Sequence, residues 1–137
     1  MPKPPTVIDL VWERDLVFSG HSGEISMTLD SAGSAGPSPM QALAFGLAGC
    51  MAMDVVAILQ KGRQAVRGLR ADLTGTRAEE DPRRFTAFTL HYTITGDIPG
   101  ERVERAIELS RQKYCSVWHS LRQDIPLDVT YSVHSGR

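Results

Sequence analysis

At 137 residues, with 42% hydrophobic and 23% charged side chains, the chain has the length and composition of one soluble domain able to bury a core, and residues 1–137 are expected to form that single domain. A formal net charge of −1 without a basic stripe argues against nucleic acid as a bulk partner. The N-terminal MPKPPT has no apolar h-region, so no secretory signal is visible and the cytoplasm is the expected compartment.

The chain opens with strands. Val7–Glu13 and Leu16–Ser19 are β-rich runs separated by Arg14-Asp15, and Glu24–Asp30 alternates Ile25, Met27 and Leu29 with Ser26, Thr28 and Asp30. His21-Ser22-Gly23 reads as the link between the second and third runs, so the pattern predicts a three-stranded antiparallel meander. Ser31–Ser38 is a loop of small residues.

The stretch that follows is the longest apolar segment. From Met40 to Gln60 the sole polar side chains are Gln41, Asp54 and Gln60, and Ser38 stands where an N-cap belongs. Alanine, leucine and methionine predict a helix of roughly 30 Å, closed by Lys61-Gly62. A helix apolar on every side must be buried on every side, and one chain of this size covers only part of it. A second copy, paired by two-fold symmetry, is therefore expected. The segment is long enough to cross a membrane, but Asp54, Gly46 and Gly49 dilute it, and no membrane association is expected. Gly46, one turn before Cys50, and Gly49 beside it are expected to let another backbone approach the thiol.

Period two then returns. Leu69, Ala71 and Leu73 alternate with polar residues, as do Phe88, Leu90, Tyr92 and Ile94, and the charged AEEDPRR between them reads as a hairpin loop. From Glu101 the spacing of Val103, Ile107, Ser110, Tyr114, Val117 and Leu121 predicts one helix face running between Pro99-Gly100 and Ile125-Pro126. Leu127–Val133 is a last alternating strand. The order β-β-β-α-β-β-α-β, with mainly antiparallel pairing, makes this an α+β fold.

Few residues are left to carry chemistry. The chain has no CxxC, HExxH, P-loop, GxSxG or GxGxxG. Cys115 and His119 stand at i, i+4, but two ligands do not make a zinc site, and neither a metal nor a cofactor is expected. The two cysteines remain, one on each helix. Free cysteines commonly pack as small buried hydrophobes, and that reading stays open beside a reactive one. In favour of reactivity stand the small-residue surroundings of Cys50, the glycine-rich loop upstream and the aromatic-rich run YCSVWHS around Cys115.

SPMQALAFGLAGC followed by KYCSVWHSL resembles the OsmC/Ohr family, and DVVAILQKGRQ, RFTAFTLHYTITG and LSRQKYCSV extend the likeness over essentially the whole chain, within an OsmC-like branch. The resemblance implies antiparallel sheets around two long central helices in an intertwined homodimer. It also implies thiol-dependent reduction of small hydrophobic organic peroxides, with a dithiol as reductant. Cys50 would be the peroxidatic thiol and Cys115 the resolving one, through a sulfenic acid and then a disulfide.

The chain departs from the family pattern at one place. Family members that reduce hydroperoxides have a glutamate directly after the helix-start proline, paired with an arginine of the N-terminal hairpin. Here Met40 follows Pro39 and Gln41 comes next. Arg14 is the positional candidate for the arginine, although hairpin arginines are mostly solvated surface. Met40, Gln41 and Phe45 are the expected substrate-binding residues. The competing expectation is a non-catalytic protein that binds an apolar ligand or senses redox state, favoured by the missing acid and by Met40, Met51, Met53 and Phe45.

Overall fold

The computed structural model describes residues 3–136, in two compact units, one ending at Leu43 and one beginning at Ala44.

The N-terminal unit is a meander of β1 (Asp9–Arg14), β2 (Val17–Ser22) and β3 (Ile25–Asp30), paired antiparallel in that order. Asp15, at φ 43°, turns the chain after Arg14, and its carbonyl accepts a 2.8 Å hydrogen bond from Trp12 Nε1. The second strand is longer than its sequence suggests. His21 and Ser22 pair with Ser26 and Ile25, which moves the turn to Gly23-Glu24. Gly23 takes φ +61°, the conformation that a two-residue hairpin loop asks of its first residue. The glycine-rich loop then folds onto Asp30, whose carboxylate accepts hydrogen bonds from the backbone of Ala32, Ser34 and Ala35. Gly36 passes so close to the backbone of Thr28 that a Cβ there would have no room.

Helix α1 (Pro39–Lys61, 23 residues) starts in this unit and continues through the next. Ser38 caps it as expected, and Gln41 completes a capping box. Gln41 N donates to Ser38 Oγ (3.2 Å) while Gln41 Oε1 accepts from Ser38 N (2.9 Å). The C-terminal end differs from expectation. Arg63 N donates to Gln60 O and Gln64 N to Leu59 O, the paired bonds of a Schellman turn. The left-handed residue is therefore Arg63, at φ 61°, and Gly62 still donates to Ile58 O as a helical residue. Only one ridge of the helix is fully buried: Leu47, Met51, Val55 and Leu59. By length and mean hydropathy (2.1) α1 meets the requirement for a membrane span, with 22% of its most apolar window buried.

In the C-terminal unit β4 (Gly68–Arg77) pairs antiparallel with β5 (Phe85–Thr95) across the expected loop, and β5 lies in the centre of the order β4-β5-β6. The alternation of β5 holds from Phe88 on, with Phe88, Leu90, Tyr92 and Ile94 buried, and Phe85 at the strand's start is buried as well. The final strand, β6 (Leu127–His134), runs parallel to β5, a departure from antiparallel pairing. Parallel neighbours need a long crossover, and residues 96–126 with their helices supply it.

That crossover is where the expected second long helix breaks. Helix α2 (Gly100–Leu109) passes into a wide π turn over Ser110–Tyr114, Cys115 is extended (φ −72°, ψ 101°), and the four-residue α3 (Ser116–His119) follows. The buried face accordingly shifts. Val103, Ala106 and Ser110 are buried as on a regular helix, but the next buried residues are Cys115 and Trp118, and Tyr114 is exposed. The wide turn adds a residue, closed by Cys115 N donating to Ser110 O (2.8 Å), and so brings Cys115 beneath Ser110.

Candidate active site

Two elements of the C-terminal unit bring the reactive groups together. On α1, Cys50 and Asp54 are one turn apart and share a face, on the ridge beside the buried one. On the crossover, the π turn presents Ser110 and the break after it presents Cys115. Cys50 Sγ, Cys115 Sγ and a carboxylate oxygen of Asp54 all lie within 4.8 Å of one another. Both cysteines are free; Cys115 is wholly buried and Cys50 half-buried.

The supporting contacts fix each donor. The buried Ser110 donates its hydroxyl to Asp54 Oδ2 at 2.8 Å. Cys115 Sγ accepts from Trp118 N at 3.3 Å and so caps α3. Burial pushes the Cys115 thiol up to about 11; the Trp118 N–H acts the other way, while a hydrogen bond with Cys50 and the negative charges of Cys50 and Asp54 push it further up. The Tyr92 hydroxyl also lies within electrostatic reach. Burial first, then the charges of Cys115, Asp54 and Cys50, raise its pKa well above the ordinary phenol value. Tyr92 is fully buried, and its hydroxyl is the one buried side-chain polar atom among the described residues without a hydrogen-bond partner.

Within the chain, a Cβ on Gly46 would meet only the Val117 side chain, at 4.0 Å, and one on Gly49 would meet nothing within 4 Å. Within the chain it is the side chain of Cys115 that approaches the thiol. His119 takes no part in the cluster, since its Nε2 lies 3.0 Å from Arg111 O. Of the remaining expected site residues, Phe45 is 71% exposed on α1. Met40 and Gln41 belong to the N-terminal unit, with Gln41 Oε1 engaged in the capping box. Arg14 ends β1 of the same unit, exposed; no ion pair to it forms among the described residues, and its charge acts on Asp30.

Asp54, Ser110 and Tyr92 were not among the expected site residues. Asp54 carried a signal: it is the only charged side chain between Met40 and Gln60, four residues after a cysteine. Ser110 and Tyr92 carried none, because each sat in a pattern that a core residue also satisfies.

Residues 31–130 match the family model described as OsmC-like protein. This chain belongs to the OsmC-like family. Protein YhfA of Escherichia coli K12 is 42% identical over 125 residues, spanning 89% of this chain and 93% of that one. The OsmC-like protein of Mycoplasma pneumoniae has the same fold, with a TM-score of 0.83 at 19% identity over 97% of this chain and 99% of that one. So does the organic hydroperoxide resistance protein OhrB of Bacillus subtilis, with a TM-score of 0.61 at 15% identity over 94% and 97%. The mixed α+β architecture, with β1–β3 before the long helix and β4–β6 after it, is thus the OsmC fold.

Proposed function

We propose that this OsmC-like protein is a thiol-dependent peroxidase that reduces organic hydroperoxides, with Cys50 attacking and Cys115 resolving. The observation that carries the reading is the convergence of a half-buried and a wholly buried thiol within 4.8 Å. The accessible sulfur is the one a peroxide meets first, and the protected sulfur is within reach of whatever forms on it. The Cys50 thiolate attacks the terminal oxygen of R–O–O–H and the O–O bond breaks. Cys50 becomes a sulfenic acid, and the leaving alkoxide takes a proton to become the alcohol. Cys115 then attacks the Cys50 sulfur, water leaves, and the disulfide forms. A dithiol returns two electrons and two protons, and is itself oxidised to a disulfide.

In this reading Arg14 steadies the Cys50 thiolate, and Met40, Gln41 and Phe45 contribute to the surface that receives the apolar substrate. The chain acts as a single domain in a homodimer. The support for pairing is the surface of α1, where one ridge is fully buried while Phe45 and Met53 are both more than 70% exposed.

The same exposed surface, with methionine in place of the acid after Pro39, favours a second reading: a non-catalytic protein that binds an apolar ligand or reports redox state. One experiment separates the two. Reduced, chelator-treated protein receives one equivalent of cumene hydroperoxide and is mapped by mass spectrometry. A Cys50–Cys115 linkage, absent in Cys50→Ser and replaced by a trappable sulfenic acid in Cys115→Ser, is the expected result. Two unmodified thiols would remove the peroxidase reading.

A further inference from the structure

The cluster holds one donor more than thiol chemistry uses. Peroxide reduction calls on two sulfurs, yet a carboxylate also stands within 4.8 Å of both. No step of the peroxide reduction uses Asp54. It is nevertheless held in place, because the buried Ser110 hydroxyl donates to its Oδ2 at 2.8 Å. The fully buried Tyr92 hydroxyl, without a partner among the described residues, adds a polar group whose presence in the core calls for an explanation, an ion being one.

We propose that Cys50, Cys115 and Asp54 are the ligands of a zinc ion that caps the thiol pair reversibly. Two thiolates and one carboxylate are a soft donor set, suited to zinc and unsuited to magnesium or calcium. Zinc bonds of about 2.3 Å to sulfur and about 2.0–2.2 Å to oxygen put tetrahedral donors roughly 3.5–4 Å apart. Donors already within 4.8 Å reach that spacing by small rotamer changes. Three protein ligands leave the fourth position to water, as in open zinc sites. Ser110 then orients the ligating carboxylate, and the partnerless Tyr92 hydroxyl, which feels the charges of all three donors, is a polar group available to the coordinated water. Asp54 also lines a groove of about 720 Å³ together with Lys61, Arg105, Leu109 and Tyr114, so one of the three donors is reached from that groove. The two cations line the groove and are not in the donor set.

The step balances without an oxidant or a reductant. Each thiol loses its proton to solvent, two Zn–S bonds form, and no electron moves. The proposal concerns the same sulfurs as the peroxidase reading but does not depend on it, since capping slows any reaction of Cys50 that starts from the free thiolate.

The test uses the full chain, reduced and stripped with a chelator, without peroxide. Zinc chloride is titrated by calorimetry and cobalt(II) chloride by absorption. One ion per chain is expected, with proton release that falls as the pH is raised. The cobalt form should show a thiolate charge-transfer band in the near ultraviolet and the intense visible bands of a tetrahedral site. Asp54→Asn keeps both thiols and the side-chain shape and should weaken zinc binding by at least about tenfold, and Ser110→Ala by about tenfold. Zinc should also slow alkylation of Cys50 by iodoacetamide in wild type. A cobalt spectrum without the charge-transfer band, or Asp54→Asn binding zinc as tightly as wild type, would overturn the proposal. The wild-type spectrum decides the matter even where a variant fails to fold. Zinc uptake with no peroxide reaction in stripped protein would remove the peroxidase reading and leave this one intact.

Discussion

The two three-stranded sheets of this chain are built from sequence of similar apolar proportion, yet β5 of one and β1 of the other end up in opposite conditions. In the C-terminal sheet β5 alternates strictly, and every second side chain from Phe88 to Ile94 is buried. In the N-terminal sheet β1 is exposed at all six positions, although Leu10, Val11 and Trp12 put apolar groups on both of its faces. A strand that is apolar on both faces reads as a strand covered on both faces. The contrast therefore separates a core that one chain completes alone, in β5, from apolar surface that one chain leaves exposed. Helix α1 shows the same division around its own axis, with one ridge buried, its flanks half-buried, and Phe45 and Met53 exposed.

The largest effects break this contrast directly. Phe88→Ala, at a position 1% exposed, should destabilise the chain by about 3–5 kcal/mol at any protein concentration. Val11→Lys, at a position 54% exposed, should change the stability of a single chain by only about 0.5 kcal/mol. Its effect should appear instead as a smaller dimer fraction in light scattering at micromolar concentration. If wild type is a monomer there, or if Val11→Lys is as damaging as Phe88→Ala and insensitive to concentration, the division between the sheets is wrong.

The same division explains what the sequence made legible. Strand positions, the N-cap at Ser38 and the face of β5 follow from period two and from local capping chemistry, which act within a few residues. The parallel pairing of β6 was not legible, because alternation along a strand is the same whichever way its neighbour runs. Nor was the break at Cys115. The spacing from Val103 to Leu121 fits an unbroken helix, and nothing in SRQKY marks the π turn that shifts the buried face to Cys115. The site follows that pattern. Both thiols stand out as the only cysteines, and Asp54 as a charge on an apolar helix. Tyr92 is linked to the site only through the charges that reach its buried hydroxyl, and Ser110 only through the π turn.

A second effect, in rate, tests Arg14 and Met40 in the N-terminal unit. A carboxylate holds a guanidinium by a bidentate, charge-assisted pair that methionine cannot form. Met40→Glu should therefore accelerate oxidation of Cys50 by organic hydroperoxide by up to about tenfold, equivalent to about 1.4 kcal/mol of barrier. Adding Arg14→Ala should erase the gain. Stopped-flow traces of single-turnover oxidation distinguish the outcomes. An unchanged or slower rate in Met40→Glu would mean that Arg14 does not act on Cys50.

The smallest effects compare how the two units hold their chain reversals. The loop after β3 is held by a charge. Hydrogen bonds from Ala35 and Ala32, aided by Ser34 and the charge of Arg14, keep the Asp30 carboxyl below its ordinary pKa despite burial. A folded pKa below the unfolded value gives stability that is present above the unfolded pKa, about 3.9, and is lost as pH falls through the folded one. The gap in urea midpoint between wild type and Asp30→Asn should therefore be widest near pH 7 and shrink below about pH 4. The exit from α1 is held by backbone bonds and by the uncharged Gln64 side chain, whose Nε2 donates to Gly62 O at 3.1 Å, at the cost of a left-handed conformation for the exposed Arg63, φ 61°. Glycine adopts that conformation without a Cβ clash, so Arg63→Gly should stabilise the chain by up to about 1 kcal/mol. Because no titrating group takes part in those bonds, the gain should be the same at pH 7 and at pH 4. A gain that changed with pH would show that the Arg63 charge, and not its backbone, governs that turn.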